Sequence, residues 1–140
     1  MLGLRPELAA AHDRLLEAIW SGVVSPVTLE LCRLRMATLL ASEVALAERS
    51  EAARAAGLAE ERIGRLSQWP TDPSFSAEER ACIGFTELFV IDHAQLSDDD
   101  VRELADVLTP EGVVTFTTAL IAWDNQHRLD NALRVAAARG

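Results

Sequence analysis

The sequence predicts an all-α protein, a single bundle of about six helices in one domain spanning residues 1–140. Three observations support this fold class. The chain has the usual length of one domain, and 49% of its residues are hydrophobic, which is enough for one core. Its commonest residues, Ala, Leu, Glu and Arg, are strong helix formers. Gly and Pro are sparse, and no strand-like alternation of apolar and polar residues appears.

The first half of the chain reads as two or three helices. A helix is expected over residues 6–20, because Pro6 stands where a first helical residue tolerates proline. Ser25 and the proline after it predict the N-cap and first turn of the next helix. Its pattern continues over residues 26–56 as one helix or two. Gly57 is expected to end it in the left-handed conformation.

The second half contains clearer boundaries. Residues 58–68 predict a short charged helix, and residues 69–75 a loop with two prolines. Ser76, with Glu three residues later, predicts a capping box at the start of a helix. Ser97 is expected to cap another short helix, whose first three residues are aspartates that complement the helix dipole. The last helix is predicted over residues 110–138.

Charge and composition exclude several classes of function. The net charge is −9, and such an acidic chain is repelled by nucleic-acid backbones and anionic membrane surfaces. All basic residues are Arg, so lysine Schiff-base chemistry is excluded. The N-terminus has no signal-peptide pattern and no apolar run is long enough to span a bilayer. We therefore expect a cytoplasmic protein that binds neither nucleic acid nor membranes.

The two cysteines, Cys32 and Cys82, lie in apolar helical stretches and are expected to be small buried hydrophobic residues. They could pair only if their Cα atoms came within roughly 7 Å. No set of His, Cys, Asp and Glu has metal-ligand spacing, and no phosphate loop, nucleophile elbow or dinucleotide fingerprint occurs. The expectation is no metal and no cofactor.

Three stretches, residues 28–49, 69–81 and 122–135, together resemble the carboxymuconolactone decarboxylase-like family, which includes the AhpD alkylhydroperoxidases. The resemblance extends from about residue 5 to 136. It implies an all-α fold whose subunits pack through helices as dimers, trimers or hexamers. A homo-oligomer is therefore expected.

The resemblance also implies where chemistry would lie. Peroxidase-type members carry a Glu twelve residues before a Cys-x-x-Cys-x-x-x-His signature. At the matching positions this chain has Glu30, then Ser42 and Ala45 in place of the two Cys, and Arg49 in place of the His. Dithiol peroxide reduction needs one thiol to attack and another to resolve the sulfenic acid. The signature is thus degenerate, and we expect no peroxidase activity of this type. The decarboxylase branch also lacks the Cys pair, but its His is replaced here too.

Two charged candidates remain, each with two interpretations. Glu30 is either a general base in an apolar pocket or the partner of Arg33 in an ion pair at i+3. Arg49 either clamps a ligand carboxylate or pairs on the surface with Glu48 or Glu51.

Ser42 and His127 complete the candidate catalytic set of Glu30, Ser42, Arg49 and His127. On one uninterrupted helix, Glu30 and Ser42 would point about 120° apart, so they meet only if the helix breaks. His127 continues the apolar stripe of the last helix and lines either a cavity or an interface, or is a satisfied core residue. His12 is expected to be exposed, and His93 to end a helix.

Two functions are compatible with these residues. In the first, the chain binds or transforms a small apolar or carboxylate ligand by acid–base chemistry. In the second, it is a non-enzymatic homo-oligomeric interaction or structural protein whose pocket is closed by Leu39, Val44 and Ala45. A cavity reached by Glu30 or His127 would favour the first.

Overall fold

The computed structural model describes residues 5–139, with side chains described for residues 5–134. This part of the chain contains helices and no strand. The α-helices are α1 (Pro6–Ile19), α2 (Pro26–Leu39), α3 (Glu43–Ala47), α4 (Glu51–Ala55), α5 (Glu60–Gly64), α6 (Ala77–Ile91), α7 (Asp98–Val107) and α8 (Pro110–Arg139). Short 3₁₀ helices follow α5 at Leu66–Gln68 and α6 at His93–Gln95. The predicted all-α fold is confirmed.

The predicted helix boundaries are confirmed where local chemistry determines them. The Ser76 hydroxyl accepts a hydrogen bond of 3.1 Å from the Glu79 N–H, and the Glu79 carboxylate accepts one of 2.8 Å from the Ser76 N–H. Ser97 and Asp100 form the same reciprocal capping box at α7. Gly57 has φ of 96°, the left-handed conformation expected for it.

The segment 26–56 forms three helices, where the sequence predicts one or two. The first break follows α2, where Ala41 adopts φ of 52°. There the side-chain amide of Asn131, on α8, donates a hydrogen bond of 3.0 Å to the Leu40 carbonyl. The second break lies between α3 and α4, and the Arg33 guanidinium donates to the carbonyls of Ala45 and Glu48 there. Both breaks are thus stabilised by long-range bonds that a local sequence pattern does not contain.

The hydrophobic core surrounds α2. This helix packs against α6, α3, α4 and α8, while α1 packs on α8 and α7 packs on both α6 and α8. Most of α2 is buried, and Cys32 of α2 and Cys82 of α6 are fully inaccessible to solvent. Among the residues described, no single helix is long and apolar enough to cross a bilayer; α7 and α8 would be so only as a pair, and they are bent by 119°.

One side chain organises the predicted loop before α6. Arg80 donates hydrogen bonds to the carbonyls of Trp69, at 2.8 Å, Pro70, at 2.9 Å, and Phe75, at 3.0 Å. It also donates to the Asp72 carbonyl. Because two prolines prevent helix formation here, these carbonyls would otherwise lack partners within a helix.

Candidate functional site

A cleft of about 660 Å³ lies between α1, α8 and the chain that follows α2. Trp20, at the end of α1, and Trp123, on α8, form an aromatic wall, with ring centroids 6.1 Å apart and planes inclined by 45°. Val44 and Ala45 of α3 also line the cleft and do not close it. These walls suit an apolar or aromatic molecule.

His127 lies on the wall of this cleft, one helical turn after Trp123. The residue is 4% exposed, and neither Nδ1 nor Nε2 has a hydrogen-bond partner among the described residues. A buried polar nitrogen without a partner is costly, and native structures contain few of them. The imidazole is therefore the group in the cleft that most needs a bound partner.

The surroundings of His127 keep its ring neutral. Burial lowers the pKa of the imidazole below its ordinary value, and the positive charge of Arg33 lowers it further. The carboxylates of Asp130, Asp124 and Glu48 act in the opposite direction, with smaller effect. A neutral imidazole at pH 7 offers one N–H donor and one nitrogen acceptor.

Glu30 does not line the cleft. Its carboxylate is buried, 1% exposed, and its two oxygens accept hydrogen bonds of 2.8 Å from Nε and Nη2 of Arg33. A third hydrogen bond, of 3.0 Å, comes from the Ser50 N–H. The ion pair at i+3 expected from the sequence is thus confirmed, and the carboxylate is occupied by protein donors.

Arg33, the partner of Glu30, is itself a cleft residue. Besides the pair with Glu30, it donates hydrogen bonds of 2.9 Å to the carbonyls of Ala45 and Glu48. One guanidinium therefore fixes the chain at Ala45 and Glu48, two residues that line the cleft.

Arg49 lies on the cleft wall but pairs with a partner other than the one predicted. Its Nε and Nη2 contact the two carboxylate oxygens of Glu60, at 2.8 and 3.2 Å, and not Glu48 or Glu51. Its Nη1 donates to the carbonyls of Leu46 and Glu48. Glu60 is the first residue of α5, and the chain turns back after α4 so that Glu60 contacts Arg49. Proximity in the sequence therefore predicted the wrong partner. The hydrogen bond from Arg49 lowers the pKa of Glu60.

Ser42 is buried immediately before α3 and is not part of the cleft wall. Its backbone N–H donates a hydrogen bond of 2.9 Å to the Ala37 carbonyl. Of the four predicted site residues, the structure brings Arg49 and His127 together in one cleft. It places Glu30 and Ser42 in the packed interior beside it.

Neither of the two cysteines lines the cleft. Both are unpaired and have no exposed surface, as the sequence predicts. Burial raises the pKa of Cys82 to about 12, and burial also raises the pKa of Cys32 well above its ordinary value. Thiols in this state are not nucleophiles near neutral pH.

Several cleft residues escaped the sequence analysis. His12, expected to be exposed, is half-buried and lines the cleft, because α1 packs on α8. Gln126 and Asp130 share the α8 face of Trp123 and His127. Their spacing of three and four residues was a readable signal of a common helix face. No comparable pattern in the sequence indicated that the Arg33 side chain lines the cleft.

Among the described side chains, no group of three or more His, Cys, Asp or Glu could hold a metal ion. The cleft instead combines aromatic walls with one unpartnered imidazole and two carboxylates, those of Glu48 and Asp130. This arrangement can bind a small molecule and exchange a proton with it.

Two solved structures of other proteins share the fold of this chain. A solved protein of unknown function from Agrobacterium tumefaciens, ATU0492, provisionally described as the antioxidant defence protein AhpD, superposes with a TM-score of 0.80 at 23% identity. The alignment covers 95% of this chain and 92% of that one. The debrominase Bmp8, solved as a variant in complex with 2,3,4-tribromopyrrole, gives a TM-score of 0.75 at 18% identity, covering 95% of this chain and 72% of that one.

No curated protein sequence matches the chain. A sequence model of the carboxymuconolactone decarboxylase family matches residues 6–88, more than half of the 140 residues. Together with the AhpD-like fold, this match confirms the resemblance carried by residues 28–49 and 69–81. The chain belongs to the carboxymuconolactone decarboxylase family.

Proposed function

We propose that this protein binds a small, largely apolar molecule in the cleft, exchanges a proton with it at His127, and does not carry out dithiol-dependent peroxide reduction. The observation that carries the proposal is the buried imidazole, whose two nitrogens lack partners among the described residues. Proton exchange is assigned to His127 because Glu30 already accepts three hydrogen bonds from protein groups.

The absence of peroxidase activity follows from the chemistry at the matching positions. Ser42 cannot cycle through a disulfide, and Ala45 has no heteroatom. Cys32 and Cys82 cannot substitute, because both are buried, neither lines the cleft, and burial raises the pKa of both thiols.

One of the solved structures that share the fold supports a small apolar ligand. The debrominase Bmp8, which shares this fold, is described in complex with a brominated pyrrole. A cleft of about 660 Å³ with two tryptophans on its wall accommodates a ring of that size.

Ligand binding is tested by thermal shift against a panel of small aromatic and heteroaromatic compounds, because a ligand that binds only the folded state raises its stability by mass action. We expect a set of compounds to stabilise the natural chain. His127→Phe, folded by circular dichroism, should lose at least about tenfold in affinity. His93→Ala, on an exposed 3₁₀ helix, is the matched control and should bind normally. Equal affinity of His127→Phe and the natural chain would contradict the assignment.

Peroxide consumption with a thiol reductant tests the proposed absence of dithiol peroxidase activity. Turnover should equal that of a blank without protein. Turnover that Cys32→Ser abolishes would overturn this part of the proposal.

A second function, homo-oligomeric interaction, is favoured by a separate observation. Val114, Ile121 and Leu129 of α8 are 66%, 53% and 44% exposed. At 100° per residue they lie within about 80° of one another on the helix surface. We propose that this apolar stripe packs against a second copy of the chain. Light scattering should show an oligomer that Ile121→Glu dissociates; a monomer in both would contradict it.

A further inference from the structure

The charges around the cleft are unequally neutralised. Arg33 is paired with Glu30 and Arg49 with Glu60, each through two hydrogen bonds to the two carboxylate oxygens. The remaining donors of both guanidinium groups serve mainly backbone carbonyls. Neither cationic group therefore has its planar fork free for a ligand carboxylate.

Two carboxylates that line the same cleft, those of Glu48 and Asp130, have no such partner. Among residues 5–134, no cationic nitrogen lies within salt-bridge distance of Glu48 or Asp130. Asp130 accepts one hydrogen bond, of 2.7 Å, from Gln126. Both carboxylates line the same cleft as the unpartnered imidazole of His127. The uncompensated charge of the cleft is negative.

The aromatic wall adds a second preference. Trp20 and Trp123 both line the cleft, and indole is the aromatic group that attracts cations most strongly. A neutral imidazole supplies an acceptor for an N–H donor but no positive charge for an anion.

We propose that the cleft selects a small organic cation, an amine or ammonium compound with an apolar body, over a carboxylate of the same shape. The ammonium group lies between Glu48, Asp130 and the acceptor nitrogen of His127, and the apolar body lies against Trp20 and Trp123. This inference rests on the proposed function, because it names the ligand class of the same cleft. It replaces the carboxylate ligand that Arg49 suggested in the sequence, since Glu60 already occupies that fork.

The test uses three probes of one shape: 2-phenylethylamine, 3-phenylpropionate and uncharged 2-phenylethanol. Binding is measured by NMR titration at about pH 8, above the ordinary pKa of histidine, at low and physiological salt. The amine should bind at least about tenfold more tightly than the other two, with an advantage that salt reduces. Glu48→Gln and Asp130→Asn should each weaken the amine and leave the alcohol unchanged. Asp106→Asn, an exposed α7 variant that removes the same charge, is the control and should alter nothing.

A reciprocal variant sharpens the test. Glu60 is on the surface, with its side chain 64% exposed, so Glu60→Gln should fold normally. It removes the charge that neutralises Arg49 and should raise the affinity for 3-phenylpropionate by about tenfold. Carboxylate or alcohol binding as tight as amine binding in the natural chain would overturn the charge assignment while leaving the cleft as a ligand site. Failure of all three probes would count against both the inference and the proposed function.

Discussion

The carboxylate of Glu30 and the guanidinium of Arg33 meet in two parallel hydrogen bonds of 2.8 Å inside the protein, where Glu30 is 1% exposed and the Arg33 side chain 11%. The pair lies on consecutive turns of α2, and Arg33 extends from it to the carbonyls of two residues in and after α3. Glu30, which matches the Glu of the family signature, is thus linked through Arg33 to the chain that lines the cleft. A buried pair of this kind is costly to break, because removing one partner leaves the other charge uncompensated.

Glu30→Gln should therefore destabilise the protein by about 3 kcal/mol. Urea denaturation followed by circular dichroism measures the change. Glu51→Gln is the control, because its pair with Arg54 is exposed and longer, at 3.5 Å, and should cost less than about 0.5 kcal/mol. A loss at Glu30 no larger than that of the control would show that the buried pair contributes little.

His127→Leu should change stability in the opposite direction. The imidazole is buried without a partner among the described residues, so an apolar side chain of similar size removes an unpaired polar group. We expect a gain of about 1 kcal/mol in urea denaturation together with loss of ligand binding. A clear loss of stability would indicate that the ring is satisfied in the folded protein.

The same residue predicts a pH dependence. Burial and Arg33 lower the pKa of His127 below its unfolded value of 6.5, so the unfolded chain binds more protons as the pH falls. The natural chain should lose stability as the pH falls below 6.5 towards the lowered pKa, and His127→Leu should lose less. The acids with lowered pKa values, Glu60, Asp72 and Asp100, have ordinary values of 4.5, 3.8 and 3.8. Their stabilisation is present above those values and is lost only at lower pH, so pH 6.5 to 5 isolates the histidine.

The two thiols should resist alkylation in the folded state. Burial raises the pKa of Cys82 to about 12 and that of Cys32 well above its usual range, and neither residue is exposed. Mass spectrometry after iodoacetamide treatment at about pH 8 should find no adduct on folded protein and two on urea-unfolded protein. One rapid adduct on the folded protein would reveal a reactive thiol.

Ala41→Gly should stabilise the turn after α2. Ala41 has φ of 52°, a conformation that costs an L-residue about 1 kcal/mol and glycine much less. The net gain should be about 0.5 kcal/mol, because glycine also loosens the unfolded chain. Thermal unfolding measures it, and Ala10→Gly within α1 is the control, with an expected loss of about 1 kcal/mol. A loss at both positions would contradict the strain argument.

Local patterns were sufficient to predict much of the fold. Several helix boundaries depend on interactions within a few residues and therefore follow from the sequence. They are marked by the prolines at the start of α1 and α2, the serine caps of α6 and α7, and Gly57. The division of residues 26–56 into three helices does not, because it depends on Asn131 reaching Leu40 across 91 positions of sequence.

The candidate site shows the same limit more strongly. His127 could be selected from its helix face, and the pairing of Glu30 with Arg33 from its spacing. Arg49 could not be matched to Glu60, and His12 could not be placed in the cleft, because both depend on how helices pack. Those contacts decide which charges remain uncompensated. The sequence therefore left an apolar or a carboxylate ligand open, whereas the contacts are the basis on which we propose a cationic one.

The loop at residues 69–75, whose carbonyls accept hydrogen bonds from Arg80, divides the chain between α1–α5 and α6–α8. A peptide-bond cut in this loop would leave the extensive packing of α2 on α6 intact. We therefore expect that the two halves, expressed as separate polypeptides, reassemble through that buried interface, with α3 and the α8 side of the cleft on different fragments. Reconstitution would then occur only when both halves are present.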